Sequence, residues 1–306
     1  MIGLTGLVWR LSLRALALLF AFGSATAAAD LPQPERVRID SLDRAHGQPV
    51  QLPGFWFAGV GADAASAAPR PAAVLLHGCG GAYQPGGAAS GALSAQILRY
   101  AHWLQARGVS ALVLDSLTPR GETSLCAQAM NQRRVNQSHR RRDALAALRW
   151  LATQPGVDAQ RLGLIGWSHG ASTVLAALNL KHPEVQASAV RAAFAVAFYP
   201  GCSAELQRGL QASGPLLLLL GAADDWTPAA PCLDLAARAE PPTPVTELYA
   251  DAHHGFDSLS PLRLRSDVPN GVNPGAGVHV GGQAQARGAA MAALARFLAQ
   301  QGATMP

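Results

Sequence analysis

The sequence predicts an α/β protein: a mainly parallel sheet with helices on both faces. Three observations lead there. Short apolar runs recur through the middle of the chain, most of them without alternation, as strands buried on both faces must be. Segments with apolar residues at helical spacing separate them. The polar residues able to do chemistry cluster just after those runs, where open parallel sheets bind ligands.

The elements follow in order. Residues 37–39 and 55–57 read as short strands, an antiparallel hairpin at the sheet edge. Residues 71–76 (PAAVLL) form a buried strand ended by a Gly-rich turn. Residues 92–106 carry Leu93, Ile97, Tyr100, Ala101 and Leu104 at helical spacing, with Gly108 as the stop. Strand 109–114 comes next, then a helix over 143–152 closed by Gln154-Pro155-Gly156. Strand 161–165 leads into a helix over 169–180, and further strands are expected at 192–199, 215–220 and 245–249. A final packing helix spans 284–299, with Met291, Leu294, Phe297 and Leu298 on its apolar face. The segment 61–71 is a connector, and 258–282 is a long Gly/Pro/Ser/Asn-rich excursion of the kind that is functional or disordered.

Composition narrows the class. The 306 residues are 49% hydrophobic and 14% charged, which excludes a disordered chain or a coiled coil. Residues 1–29 have the form of a secretory leader. Arg10 and Arg14 charge its start, an apolar stretch covers 15–22, and Ala25-Thr26-Ala27 or Ala27-Ala28-Ala29 offers the cleavage site. The alternative is an uncleaved anchor. No later stretch is long and apolar enough to span a bilayer, so a secreted or periplasmic single domain over 30–306 is expected. Without Arg10 and Arg14, 22 basic residues face 19 acidic ones, a nearly neutral +3. The dense triplet Arg140, Arg141 and Arg142 reads as a solvated helix face, and no nucleic-acid partner is indicated. The oligomeric state is not legible.

The chemistry lies at strand ends. Gly166-Trp167-Ser168-His169-Gly170 is a G-x-S-x-G pattern. As a bare pattern it is weak, but here it joins a buried strand to a helix, where a nucleophile elbow belongs. A serine needs a base, and the base a carboxylate to orient it. Asp224-Asp225 follows one later strand and His253-His254 the next, in the order Ser, Asp, His. Asp224 and His254 are chosen from the two doublets. The backbone N–H of His169 and one from His77-Gly78-Cys79-Gly80-Gly81 would hold an oxyanion. Cys79 is preferred there, with Gly80 as the alternative, and His77 is assigned a structural hydrogen-bonding role. Gly80, Trp226 and Arg120 are candidate substrate contacts, although Arg120 suits an internal ion pair better.

Six segments together carry a family resemblance: VLLHGCGG (74–81), LDSLTPRG (114–121), VDAQRLGLIGWSHG (157–170), FYPGC (198–202), GAADDWTPAAPC (221–232) and HHGFD (253–257). The chain resembles the dienelactone hydrolase family of α/β-hydrolases, especially its exported members. The resemblance implies an α/β-hydrolase fold and catalytic roles for Ser168, Asp224 and His254. Dienelactone hydrolases proper use a cysteine nucleophile where this chain has Ser168, so the resemblance implies a serine esterase of small-molecule esters. Two other readings are a peptidase of the prolyl-oligopeptidase type, for whose extra propeller domain there is no room, and an inactive hydrolase fold serving as a binding protein.

The sheet order implied by the resemblance sets the strand before Cys79 beside that before Cys126, and the strand before Cys202 beside that before Cys232. Disulfides Cys79–Cys126 and Cys202–Cys232 are therefore expected, each pinning a loop at the rim of the site. No cofactor is indicated, because no G-x-G-x-x-G joins a strand to a helix. No metal is expected either, since His253 and His254 are adjacent and no ligand-spacing motif occurs.

Overall fold

Strands β1 (Glu35–Ala45) and β2 (Gln48–Phe57) form a tight hairpin. His46 and Gly47 both have positive φ, 49° and 79°, the backbone that a two-residue hairpin turn requires. Both strands are far longer than the sequence suggests, because polar residues, charged ones in β1 and glutamines in β2, alternate with the buried Ile39, Val50 and Leu52. The outer strand, β1, is studded with charge, which guards an open sheet edge. The structure is a computed structural model, and it describes residues 1–3, 33–59 and 68–303. The chain divides into two compact units, Met1–Leu31 and Pro32–Pro306, and the elements belong to the second. The expected leader lies outside the described residues apart from its first three.

Six more strands join the sheet: β3 (Arg70–Leu76), β4 (Ser110–Leu114), β5 (Val157–Trp167), β6 (Phe194–Phe198), β7 (Leu216–Gly221) and β8 (Val245–Tyr249). The order is β1-β2-β4-β3-β5-β6-β7-β8. Strands β3 to β8 pair in parallel, and β2 meets β4 antiparallel. Helices α1 (Ala95–Gln105), α2 (Gln137–Leu151) and α3 (His169–Leu178) fall where expected, but α2 begins a turn and a half early, capped by the Asn136 side chain. Short helices α4 (Pro183–Gln186), α5 (Ser203–Arg208) and α6 (Ala230–Arg238) were not legible, and α7 (Ala284–Gln300) closes the chain. Within the 258–282 excursion, β9 (Arg263–Arg265) and β10 (Val278–Val280) form a small ribbon of their own.

The core has two layers, one on each face. Leu76, Leu112 and Leu164 pack against α2, α3 and α6, while the alternate Leu75, Val113 and Ile165 pack against α1 and α7. Burial on both faces explains the unbroken apolar runs.

The early start of α2 overturns the reading of the arginine triplet as a solvated face. Arg140 is fully buried and Arg141 nearly so. Arg141 and Arg142 both pair with Glu184, and Arg142 also reaches Asp43. The triplet spans the end of the first turn and the second turn of α2, which packs on α3 and β1.

Candidate active site

Because β3, β5, β6, β7 and β8 are parallel, their carboxyl ends open on one side, and the loops there bring the candidate residues together. Ser168 leaves β5 with φ 53° and ψ −118°, a conformation that a non-glycine residue holds only when its surroundings impose it. They do so through backbone contacts. Ser168 N–H donates to the Phe198 carbonyl at 2.9 Å. A Cβ on Gly170 would lie 2.0 Å from the Leu76 carbonyl oxygen, and one on Gly166 would lie 2.5 Å from that of Gly170. Both flanking glycines are thus required by close backbone approach.

Ser168 Oγ lies 2.9 Å from Nε2 of His254, and Nδ1 of His254 lies 2.9 Å from Oδ2 of Asp224. Oδ1 of Asp224 accepts from the N–H groups of Trp226 and Thr227 at 2.9 and 2.8 Å, which fixes the carboxylate. The Thr227 hydroxyl sits 3.0 Å from Oδ2 of Asp224, 3.0 Å from the Tyr199 carbonyl and 3.1 Å from Nδ1 of His254. Its single proton serves one of the two oxygens while its lone pairs face the imidazole. The rings of Tyr199 and Trp226 flank that of His254 at 4.7 and 4.6 Å. Behind them Asp257, wholly buried, accepts from Tyr199 Oη, Trp167 Nε1 and Gln96 Nε2, anchoring the His254 loop to β5, β6 and α1. The other members of the doublets turn elsewhere: Asp225 pairs with His279, and His253 stacks on His279.

The loop 77–81 and the first turn of α3 meet beside Ser168. Cys79, Ser168 and His169 line one cavity, and among the described residues neither the Cys79 nor the His169 backbone N–H has a protein acceptor. Arg140 joins the two pieces from below. Its Nη1 donates to Nδ1 of His169 at 2.7 Å and its Nη2 to the His77 carbonyl at 2.8 Å. Burial, reinforced by the charge of Arg140, pushes His77 down to about 3 and His169 well below its ordinary value. Both are neutral acceptor–donor groups. His77 donates from Nδ1 to the Gly78 carbonyl and accepts from Ser116 N–H, the structural role expected of it.

The cavity measures about 540 Å³, and Met130, Arg133, Gln137, Arg208, Trp226 and Asn270 are among its walls. Asn270, from the 258–282 excursion, clasps the segment opposite by hydrogen bonds to Gln128 and Met130. Gly80 and Arg120 do not line it. Arg120 is held between Asp43 and Asp143 at 2.9 and 2.8 Å, so it is an internal ion-pair partner. Two disulfides brace the rim: Cys79–Cys126, with Cα atoms 5.0 Å apart, and Cys202–Cys232, at 5.1 Å. The residues that sequence reasoning missed are Thr227, Tyr199, Asp257 and Arg140. Tyr199, Thr227 and Asp257 lie in the FYPGC, GAADDWTPAAPC and HHGFD segments, which was their only signal, and Arg140 lies outside all six segments.

Asp225, His253 and His279 lie together, half-exposed, and among the described residues they are a group whose possible ligand atoms come within 4.8 Å of one another.

The profile of the dienelactone hydrolase family matches residues 59–300. Among solved structures, Thermogutta terrifontis esterase 2 phosphorylated by paraoxon is 18% identical with a TM-score of 0.60, over 90% of this chain and 97% of that one. Its propionate-bound form is likewise 18% identical, TM-score 0.59, over 90% and 97%. A dienelactone hydrolase-like promiscuous phosphotriesterase from metagenomic libraries is 19% identical, TM-score 0.60, over 88% and 99%. At such identities the likeness is one of fold. Among curated proteins nothing matches significantly.

Proposed function

The chain belongs to the dienelactone hydrolase family, and we propose that it hydrolyses carboxylic esters through an acyl-enzyme on Ser168. The observation that carries this reading is the hydrogen-bonded line from Ser168 through His254 to Asp224, set on a strained turn at the mouth of a cavity. His254 Nε2 takes the proton of Ser168 Oγ as the oxygen attacks the ester carbonyl carbon. The carbonyl oxygen becomes an oxyanion and accepts from the N–H groups of Cys79 and His169. Collapse breaks the bond to the alcohol, which leaves with the proton from His254. A water then gives its proton to His254 and attacks the acyl carbon, and collapse returns that proton to Ser168 as the acid departs. Asp224 and Thr227 hold the imidazole in the tautomer this requires.

We also propose that the protein is exported. The leader-like start and two disulfides suit an oxidising compartment outside the cytoplasm. Among the described residues no helix is long and apolar enough to cross a membrane.

An esterase of this fold is phosphorylated by paraoxon, so paraoxon is an apt probe. Peptide mapping after paraoxon treatment should find the phosphoryl group on Ser168, and Ser168→Ala should lose p-nitrophenyl acetate hydrolysis by about 10⁴-fold or more. An unmodified Ser168 in folded protein, or undiminished turnover in the variant, refutes the reading.

A further inference from the structure

Beside the triad lies a second constellation that ester hydrolysis does not use. Asp225 immediately follows Asp224, His253 immediately precedes His254, and His279 arrives on β10. One ligand atom from each lies within 4.8 Å of the other two. The rings of His253 and His279 are 5.2 Å apart, centroid to centroid, inclined at 42°. Nδ1 of His279 is 2.7 Å from Oδ2 of Asp225, and the His279 backbone N–H donates to Oδ1 at 2.9 Å. Nδ1 of His253 is buried and has no hydrogen-bond partner among the described residues.

We propose that Asp225, His253 and His279 form a binding site for a divalent transition-metal ion of the zinc type. Two imidazoles with one carboxylate suit zinc, cobalt, nickel or copper, and are poor company for calcium or magnesium, which take oxygen ligands. Zinc–nitrogen bonds of about 2.0–2.1 Å put tetrahedral ligand atoms about 3.3 Å apart, so the cluster has to tighten by up to about 1.5 Å. The side chains of His279 and Asp225 are 46% and 31% exposed, which leaves them free to turn and leaves the remaining coordination positions open to water. The hydrogen bond between them is what the ion would replace.

The ion's role is that of a clip. The loop after β7, the loop after β8 and the 258–282 excursion each contribute one ligand. The same three segments already touch through backbone bonds, from Val272 N–H to the Asp225 carbonyl and from Gly281 N–H to the His254 carbonyl. The site is separate from the proposed hydrolysis and stands or falls without it.

The test uses the whole chain, produced without a histidine tag and stripped with EDTA. Titration with zinc, read by elemental analysis after gel filtration, should give one ion per chain. Cobalt(II) in its place should produce visible ligand-field absorption. Loss of even an outer-shell partner weakens metal sites about 10–100-fold, so His279→Ala should weaken zinc binding at least tenfold. Asp225→Asn, which keeps the shape of the side chain, should do the same, and serves if His279→Ala does not fold. The melting temperature of the parent chain should climb with zinc, and that of His279→Ala should not. Absence of a stoichiometric ion overturns the proposal, as does zinc binding that both variants leave intact.

Discussion

The guanidinium of Arg140 lies 2.7 Å from Nδ1 of His169, and among the described residues no carboxylate is hydrogen-bonded to it. A buried cation is costly without compensation. Here the compensation comes from the nearby charges of Asp143 and Asp115 and from hydrogen bonds to two neutral acceptors, one on each half of the proposed oxyanion site, the His169 ring and the His77 carbonyl. Arg140 is therefore a positioning residue. Arg140→Met fills the space but leaves both acceptors unpaired. Small misplacement of reacting groups costs up to about 100-fold, so kcat should fall about 10- to 100-fold with KM little changed. Arg140→Lys should recover part of the loss. Wild-type kcat in a folded Arg140→Met protein would contradict the assignment.

Thr227 Oγ1 touches Asp224, His254 and the Tyr199 carbonyl at 3.0 to 3.1 Å. Thr227→Val preserves shape and removes those bonds, worth about 1 kcal/mol or more together. The expected result is a kcat loss of about tenfold, because the imidazole is held less firmly in line with Ser168. Steady-state kinetics decide the matter; full kcat in the folded variant would show that Asp224 alone suffices.

His77 and His169 make the fold acid-sensitive. Burial, aided by Arg140, keeps both neutral, His77 down to about 3 from an ordinary 6.5. The unfolded chain protonates them below about pH 6.5 and so binds more protons than the folded one. Stability therefore falls as pH drops from about 6.5, for His77 as far as pH 3. His77 contributes about 1.4 kcal/mol per pH unit in that window, or about 2 kcal/mol by pH 5, and His169 adds a loss of the same sign. Urea midpoints should be clearly lower at pH 5 than at pH 7; equal midpoints would mean that these rings are protonated in the folded protein.

The bridge Cys202–Cys232 ties the loop bearing Tyr199 to the helix that follows Thr227. Replacing both cysteines by alanine should cost about 2–5 kcal/mol of stability. Thermal unfolding of the double variant against the parent, each without reductant, measures it, and an unchanged melting curve would show the bridge to be dispensable.

Arg133 lines the cavity, and burial pushes its guanidinium below the ordinary value. Its Nε bonds a backbone carbonyl of Gln128 and, among the described residues, no carboxylate. Esters bearing a second, anionic group should therefore gain from it. Arg133→Gln should raise KM for such substrates about tenfold while leaving neutral esters nearly unaffected. Equal effects on both would show that the side chain serves only the wall.

The sheet and the elbow were readable because each depends on local pattern: apolar runs for strands buried on both faces, and glycines where backbones nearly touch. The doublets Asp224-Asp225 and His253-His254 were readable from strand ends and chain order, which do not by themselves choose within either pair. Arg140 was not, since three consecutive arginines at the head of a helix look solvated until α2 is seen to press that turn under α3. Thr227 was lost because a hydroxyl in a turn is ambiguous by itself. The grouping of Asp225 with His253 and His279 depends on how a long, irregular excursion folds back, which no periodicity encodes. Arg120, read as a substrate contact or, in preference, an ion-pair partner of unnamed residues, pairs with Asp43 and Asp143.

At residue 170 only a hydrogen atom separates helix from strand: a methyl there would stand 2.0 Å from the Leu76 carbonyl oxygen. Aim is thereby fixed by main chain against main chain, whereas the cavity's outer walls are supplied by side chains from distant excursions. Mutational drift can retailor what enters without re-aiming the attack, so selectivity in this scaffold is free to wander while the attacking geometry stands still.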